Sequence, residues 1–301
     1  MIYSFAFVFS LAAAILSLPR IIAIAERLQI YDRPDERKVH NDLTPRIGGI
    51  AVALSVIISL MFMQQLETSL TGYIIGAIIV FGFGFYDDIW GLSWRVKFVG
   101  QFAAAIIALV FLQVNLNGVQ FFGFEIPLPP WLVFTGMVFF IVGGMNSLNL
   151  LDGLDGLAAG VSSVVTLTFA LLFFVFNLSI YSLMMLIMAG GLTAFLWFNS
   201  NPAQVFMGDV GSLAIGAFLA SAAVLTSSEI YLLIIGGIYV LETLSVIIQV
   251  PYFKLTGGKR IFKMTPIHHH FEIKGLAENK IVFRFIITSI IFSLIALISV
   301  L

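Results

Sequence analysis

An all-α polytopic membrane protein, with about ten transmembrane helices, both termini outside and a site on the cytoplasmic face, is predicted by three features of the sequence. The 301 residues are 60% hydrophobic and only 10% charged, where soluble domains carry about 25% charged residues. The apolar residues fall into runs near the roughly 20 needed to cross a bilayer. All 15 Lys and Arg residues fall in connections that can share one side of a membrane.

In chain order the runs cover 2–24, 46–64, 70–86, 96–114, 130–146, 156–177, 180–199, 210–227, 229–252 and 281–300. The first opens at Met1-Ile2 without a basic n-region or cleavage site, so it reads as a span and not as a removable signal peptide. The fifth is short, and a re-entrant segment is its alternative. Just before it, Val119 to Pro130 alternates and turns like a small hairpin. The chain is read as one integral membrane domain over 1–301.

Charge fixes the orientation. The 20–46 connection holds Arg20, Arg27, Arg33, Arg37, Lys38 and Arg46, and the 87–97 connection holds Arg95 and Lys97. The 252–284 connection holds the remaining seven cations, and the connections of opposite parity hold none. By the positive-inside rule the cationic connections face the cytoplasm. Connections 146–156 and 199–209 belong to the same side but carry Asn, Asp and Gly in place of cations. Loops without anchoring charge but dense in short polar side chains suit site building, although ordinary turn chemistry explains any one of them alone.

Several classes drop out. Cys is absent, which excludes disulfides, Cys-ligated zinc and thiol nucleophiles. No Gly-x-x-x-x-Gly-Lys-Ser/Thr loop is present, which disfavours nucleotide-driven pumping. The cations line a membrane face, not an aromatic-studded soluble domain, so nucleic acid is not an expected partner.

The polar constellations lie on the expected cytoplasmic side. Asp87 and Asp88 close the third span; adjacent carboxylates repel and call for a cation. A metal-phosphate site or a base is one reading, and a solvated helix end compensated by Arg95 and Lys97 is the other. Asn146, Asn149, Asp152 and Asp155 recur every third residue, but such a ladder drifts by about 60° per step on a regular helix. All four cannot share one face, and Gly153 and Gly156 suggest an irregular backbone with the sixth helix starting near Gly156. Asp209, flanked by Gly208 and Gly211, precedes the eighth span. It is an N-cap candidate and also a place to hold Mg²⁺ with a diphosphate. His268, His269 and His270 occupy the longest basic loop; successive side chains diverge, so a three-His zinc site is not expected. Glu242 lies inside the ninth span, where an acid is costly and a functional hypothesis by default; a neutral, hydrogen-bonded Glu that packs helices is the equal alternative.

Taken together and in order, six segments resemble the polyprenyl-phosphate N-acetylhexosamine-1-phosphate transferases over nearly the whole chain. They are Asp32-Arg-Pro-Asp-Glu-Arg-Lys-Val-His40, Thr44-Pro-Arg-Ile-Gly-Gly49, Asp87-Asp88, Asn149-Leu-Leu-Asp152-Gly-Leu-Asp155-Gly, Phe206-Met-Gly-Asp209 and Pro266-Ile-His-His-His-Phe-Glu272. The resemblance implies a reaction at the inner face of the bacterial cytoplasmic membrane, with Mg²⁺ or Mn²⁺ as cofactor. The phosphate of a polyprenyl lipid such as undecaprenyl phosphate attacks the β-phosphorus of a UDP-amino sugar, giving lipid-diphosphate-sugar and UMP. It assigns the metal to Asp209 with Asn149 beside it. Asp87 and Asp88 match the family's acidic pair; one orients or deprotonates the lipid phosphate, although a phosphate ionised at pH 7 hardly needs a base. Asn149, Asp152 and Asp155 line the nucleotide pocket, with Phe206 against the uracil. His269 and His270 meet the diphosphate or sugar, His268 joins the substrate contacts, and Lys38 is the first-loop cation for phosphate. A homodimer is implied by the resemblance alone.

The donor is read two ways. The first loop, through Thr44-Pro-Arg-Ile-Gly-Gly49, looks like the branch that uses UDP-N-acetylglucosamine to start teichoic acid, O-antigen lipopolysaccharide or related polymers, and this is the expected donor. The stretch from Leu241 to Gly275 looks like the branch that uses UDP-N-acetylmuramoyl-pentapeptide. A transporter or flippase for a phosphorylated lipid or nucleotide sugar is the competing class. It calls for polar residues at mid-membrane, where Glu242 is the one clear acid.

Overall fold

The computed structural model describes residues 2–32, 44–64, 70–112 and 114–300, and it is helical apart from two small two-stranded sheets. Helix α1 (Ile2–Arg27) leads to strands β1 (Tyr31–Asp32) and β2 (Thr44–Pro45). Helices α2 (Gly49–Gln64), α3 (Leu70–Trp90) and α4 (Trp94–Leu112) follow, then strands β3 (Gly118–Phe121) and β4 (Phe124–Pro127). Next come α5 (Pro130–Leu151), α6 (Leu157–Val175), α7 (Ser179–Asn199) and α8 (Gly208–Leu225). The chain ends with α9 (Glu229–Ile235), α10 (Gly237–Leu255), α11 (Ile267–Ile273) and α12 (Glu278–Ile298). Among the described residues, eight helices are long and apolar enough to cross a membrane: α1, α4 to α8, α10 and α12.

Two expected elements differ in extent. The fifth span is a continuous helix of 22 residues, started by Pro130 at its first turn, where the missing N–H costs nothing. The ninth, expected unbroken over 229–252, is two helices parted at Gly236. Two consecutive glycines have poor helix propensity, and the second lets the Phe292 ring of α12 close in, 2.6 Å from where a Cβ would stand. The expected hairpin at 119–130 is β3–β4. Its turn residues Phe122 and Gly123 both have positive φ, 47° and 85°, as a type I′ turn requires.

Helix α8 is the central element, buried through nearly its whole length and packed against α2, α3, α4, α5 and α9. Glycines bring its neighbours to backbone contact. A Cβ on Gly216 would lie 2.4 Å from the Gly144 carbonyl oxygen of α5, and Gly49 of α2 and Gly84 of α3 meet Gly211 and Val210 as closely.

Hydrogen bonds gather the odd-numbered connections at one end. The 45–49 segment runs beside the α7–α8 loop, with Phe206 N–H donating to Pro45 O at 2.8 Å and Gly48 N–H to Phe206 O at 2.9 Å. The α5–α6 loop joins them through Gly156 N–H to Asn199 Oδ1 at 3.0 Å. Glu278, opening α12, accepts from Asp155 N–H at 2.7 Å. The connections predicted to share a side therefore do meet, and for the physical reason that their polar groups satisfy one another.

Gly216→Val forces α5 away from α8. Overpacking of this kind costs about 1–3 kcal/mol, and the expected outcome is a lowered unfolding temperature of the purified protein in detergent.

Candidate active site

The start of α8 organises the site. Gly208 has φ +73°, and a Cβ there would fall 2.2 Å from the Arg46 carbonyl oxygen and 2.6 Å from Asp88 Oδ2. Only glycine fits that bend, and it delivers Asp209 into the first turn. The backbone N–H groups of Asp209 and Val210 donate to Asp88 Oδ1 and Oδ2, at 2.9 and 2.8 Å. Asp88 therefore caps α8 from another helix, a favourable place for a carboxylate beside the positive helix terminus.

Two cations knit three carboxylates. Arg46 reaches Asp88 Oδ1 at 3.2 Å and Asp209 Oδ1 at 3.3 Å. Lys97 stands between Asp87 and Asp209, 2.6 Å from Asp209 Oδ2 and in direct contact with Asp87 Oδ2. Asp87 also accepts the Leu92 N–H at 2.7 Å, which turns the chain at the end of α3. Arg95, expected to compensate the acidic pair together with Lys97, instead lies over the Trp94 ring.

The Asn/Asp ladder splits by helical geometry. Asn146 donates to Gln101 Oε1 at 2.6 Å, a helix–helix clasp away from the centre. Asn149 donates through Nδ2 to Asp209 Oδ1 at 2.9 Å and to Ser212 Oγ at 3.0 Å, so it steadies the carboxylate in this arrangement. Asp152, half-buried at the end of α5, accepts the Gly208 N–H. Burial, with the Asp209 charge beside it, raises its carboxyl to about 7. Asp155 turns the other way: its Oδ2 accepts from Asn201 Nδ2 at 3.2 Å and Ala203 N–H at 2.9 Å. It ties the α5–α6 and α7–α8 loops together, next to Glu278.

The histidines diverge. His268 is fully buried, its Nδ1 3.1 Å from Glu242 Oε1. His269 Nδ1 faces Glu272 Oε2 at 2.5 Å. His270 Nδ1 accepts the Lys263 N–H at 3.0 Å, which leaves its proton on Nε2. Burial and the Lys274 and Lys263 charges hold its pKa below the ordinary histidine value. The hydrogen bonds of the three histidines run to Glu242, Glu272 and the Lys263 N–H, apart from the aspartate centre. Phe206 is half-buried on the strand-like segment beside Pro45 and Gly48. Lys38 lies outside the described residues.

Sequence reasoning did not place Arg46 and Lys97 at the centre, nor Asn201 and Glu278 around Asp155. Arg46 carried a signal, since it sits within Thr44-Pro-Arg-Ile-Gly-Gly49, and Lys97 another, three residues inside a helix that starts beside the acidic pair. Asn201 and Glu278 carried none.

The arrangement concentrates carboxylates, two fixed cations and a helix N-terminus at one mouth of the bundle, which suits anionic phosphates neutralised by positive charge. Residues 70–227 match the model of glycosyl transferase family 4. A phospho-N-acetylmuramoyl-pentapeptide-transferase of Desulfovibrio desulfuricans is 38% identical, with 96% of this chain and 89% of that protein covered. One from Thermodesulfovibrio yellowstonii is 36% identical over 98% of this chain and 90% of its own length. Another, from Oleidesulfovibrio alaskensis, is 40% identical over 84% and 79%.

The folded protein holds the Asp152 proton up to about 7, whereas an unfolded chain releases it near 3.9. Stability linked to that proton is full below about pH 4 and is lost as pH rises through 7. Unfolding temperatures of chelator-treated protein between pH 5 and 8.5 are expected to decline with pH, and Asp152→Asn is expected to flatten the decline.

Proposed function

The chain belongs to glycosyl transferase family 4, and from that premise we propose that it transfers phospho-N-acetylmuramoyl-pentapeptide from its UDP-linked donor to a polyprenyl phosphate. In general terms it is a membrane transferase of the polyprenyl-phosphate sugar-1-phosphate type, with a nucleotide sugar and a polyprenyl phosphate lipid as substrates. The finer choice of donor rests on relatives of that printed name, which align over almost the entire chain. They favour the muramoyl-pentapeptide donor over the N-acetylglucosamine expected from the first loop. Thr44-Pro-Arg-Ile-Gly-Gly49 still supports N-acetylglucosamine as a second reading.

A lipid-phosphate oxygen attacks the β-phosphorus, the bond to the α-phosphate bridge breaks, and UMP leaves with the negative charge. Such a reaction is mainly positioning and charge neutralisation. Arg46 and Lys97 supply two fixed cations for it, and the amide end of α8 a third positive element. Asp87 and Asp88 hold those cations in place and orient the lipid phosphate. Asp152 and Asn149 face the nucleotide side with Phe206 against the uracil, and Asp155 keeps the two loops in register. His270, with its proton on Nε2, is a donor for the diphosphate or sugar, and His269 lies beside it.

The donor set fits a divalent cation. Asp87, Asp88, Asp152 and Asp209 outnumber Arg46 and Lys97, and Asp152, raised first by burial, also feels the Asp209 charge. Among the described residues no three His, Asp or Glu side chains form a metal-holding group, but Mg²⁺ is usually held by one or two carboxylates completed by substrate phosphates. Asp209, steadied by Asn149, is the carboxylate for it. Bound there, Mg²⁺ supplies Lewis-acid polarisation of the diphosphate. The cationic connections support a site on the cytoplasmic face of a bacterial inner membrane.

UMP release by purified protein with undecaprenyl phosphate and Mg²⁺ tests the reading. Turnover with UDP-N-acetylmuramoyl-pentapeptide and none with UDP-N-acetylglucosamine is the expected result; the reverse selects the second reading. Asp209→Asn is expected to lower UMP release on the order of 10²–10³-fold, the cost of removing one electrostatic stabiliser. Its size-exclusion profile is expected to match the parent's.

A further inference from the structure

Glu242 and His268 have no exposed surface, yet both are titratable and they face each other between α10 and α11. His268 Nδ1 faces Glu242 Oε1, which turns Nε2 the opposite way. That direction leads to Gly153: a Cβ built there would stand 2.5 Å from Nε2 and 3.0 Å from Cε1. Gly153 follows Asp152 in the α5–α6 loop, so the imidazole is wedged between a buried acid and the backbone of the aspartate loop. Among the described residues, neither Glu242 Oε2 nor His268 Nε2 has a hydrogen-bond partner. A pair that served packing alone would be replaced without loss by apolar side chains of similar volume. Here a single contact sets the ring plane on which the Asp152 loop rests.

We propose that Glu242 is a positioning residue for the transfer reaction, acting through His268 to set the height of Gly153 and so of the Asp152 loop. The inference rests on the proposed function, because the loop it positions is the one assigned to the nucleotide sugar. Glu242 touches no reacting atom; His268 transmits its position, and Gly153 is the surface that receives it.

A double-mutant cycle on UMP release tests this. Glu242→Ala and His268→Ala are each expected to lower kcat/KM on the order of 10²-fold, the cost of a small misplacement remote from the chemistry. The loss should appear chiefly as a raised KM for the nucleotide sugar. The double variant is expected to be no worse than His268→Ala, and Gly153→Ala to be harmful in the parent but neutral beside His268→Ala, where the clashing ring is gone. Glu242→Gln keeps an acceptor and is expected to lose less than tenfold. Additive losses, or Gly153→Ala equally harmful in both backgrounds, overturn the proposal. Should Glu242→Ala not fold, Glu242→Gln and the Gly153 pair carry the same test. Parent protein silent with both donors would defeat the proposed function and not this inference. In that event ¹⁵N imidazole spectra decide: Glu242→Ala must change the His268 tautomer signal, and an unchanged signal overturns the pairing.

Discussion

The Asp88 carboxylate, accepting the first N–H groups of α8, is the interaction on which the site depends. Helix α8 makes no side-chain cap of its own, and its N-terminus lies too deep for water to satisfy every exposed amide. A buried N–H without a partner is costly, so the carboxylate at the end of α3 fixes how α3 and α8 cross. It also fixes where Asp209 stands. Arg46 then spans Asp88 and Asp209, and the 45–49 segment that carries it is held along the α7–α8 loop by backbone hydrogen bonds. Gly208 permits the bend that lets all three converge.

This arrangement also explains why a transferase of this family can run phosphoryl transfer with so little polar machinery. The bundle is largely apolar along its length, and Arg46, Lys97, Asp87, Asp88 and Asp209 meet at one end. There, carboxylates hold Arg46 and Lys97 in place. Lys97 shows the economy of the design: one ammonium satisfies Asp87 and Asp209 together, joining α4 to α3 and α8. Four carboxylates, Asp87, Asp88, Asp152 and Asp209, share this end with the two cations Arg46 and Lys97, and burial with the Asp209 charge beside it raises the Asp152 carboxyl.

The histidine helix belongs to a second layer. His268 is committed to Glu242 and the underside of the aspartate loop, while His269 and His270 keep ring nitrogens available beyond their own contacts with Glu272 and the Lys263 N–H. Three consecutive residues thus meet three different partners, because helical geometry sends them in different directions.

The sequence by itself determined what depends on local composition. Apolar runs separated by polar breaks gave the helices, the alternation around Phe122-Gly123 gave the hairpin, and one-sided cations gathered the connections that the structure joins. It also marked Asp87, Asp88, Asn149, Asp152 and Asp209, since Asn and Asp beside Gly at a membrane boundary stand out against an apolar background. Only the tertiary structure decided which of them meet. Asn149 and Asp209 are 60 positions apart and Arg46 and Asp209 are 163 apart, and no periodicity reports such distances. The same holds for Asp155, which shares a motif with Asp152 but turns to Asn201, and for Glu242, whose partner lies 26 residues away. Pattern records the environment a side chain prefers, whereas its partner is set by helix crossings that glycine contacts and buried polar groups fix together.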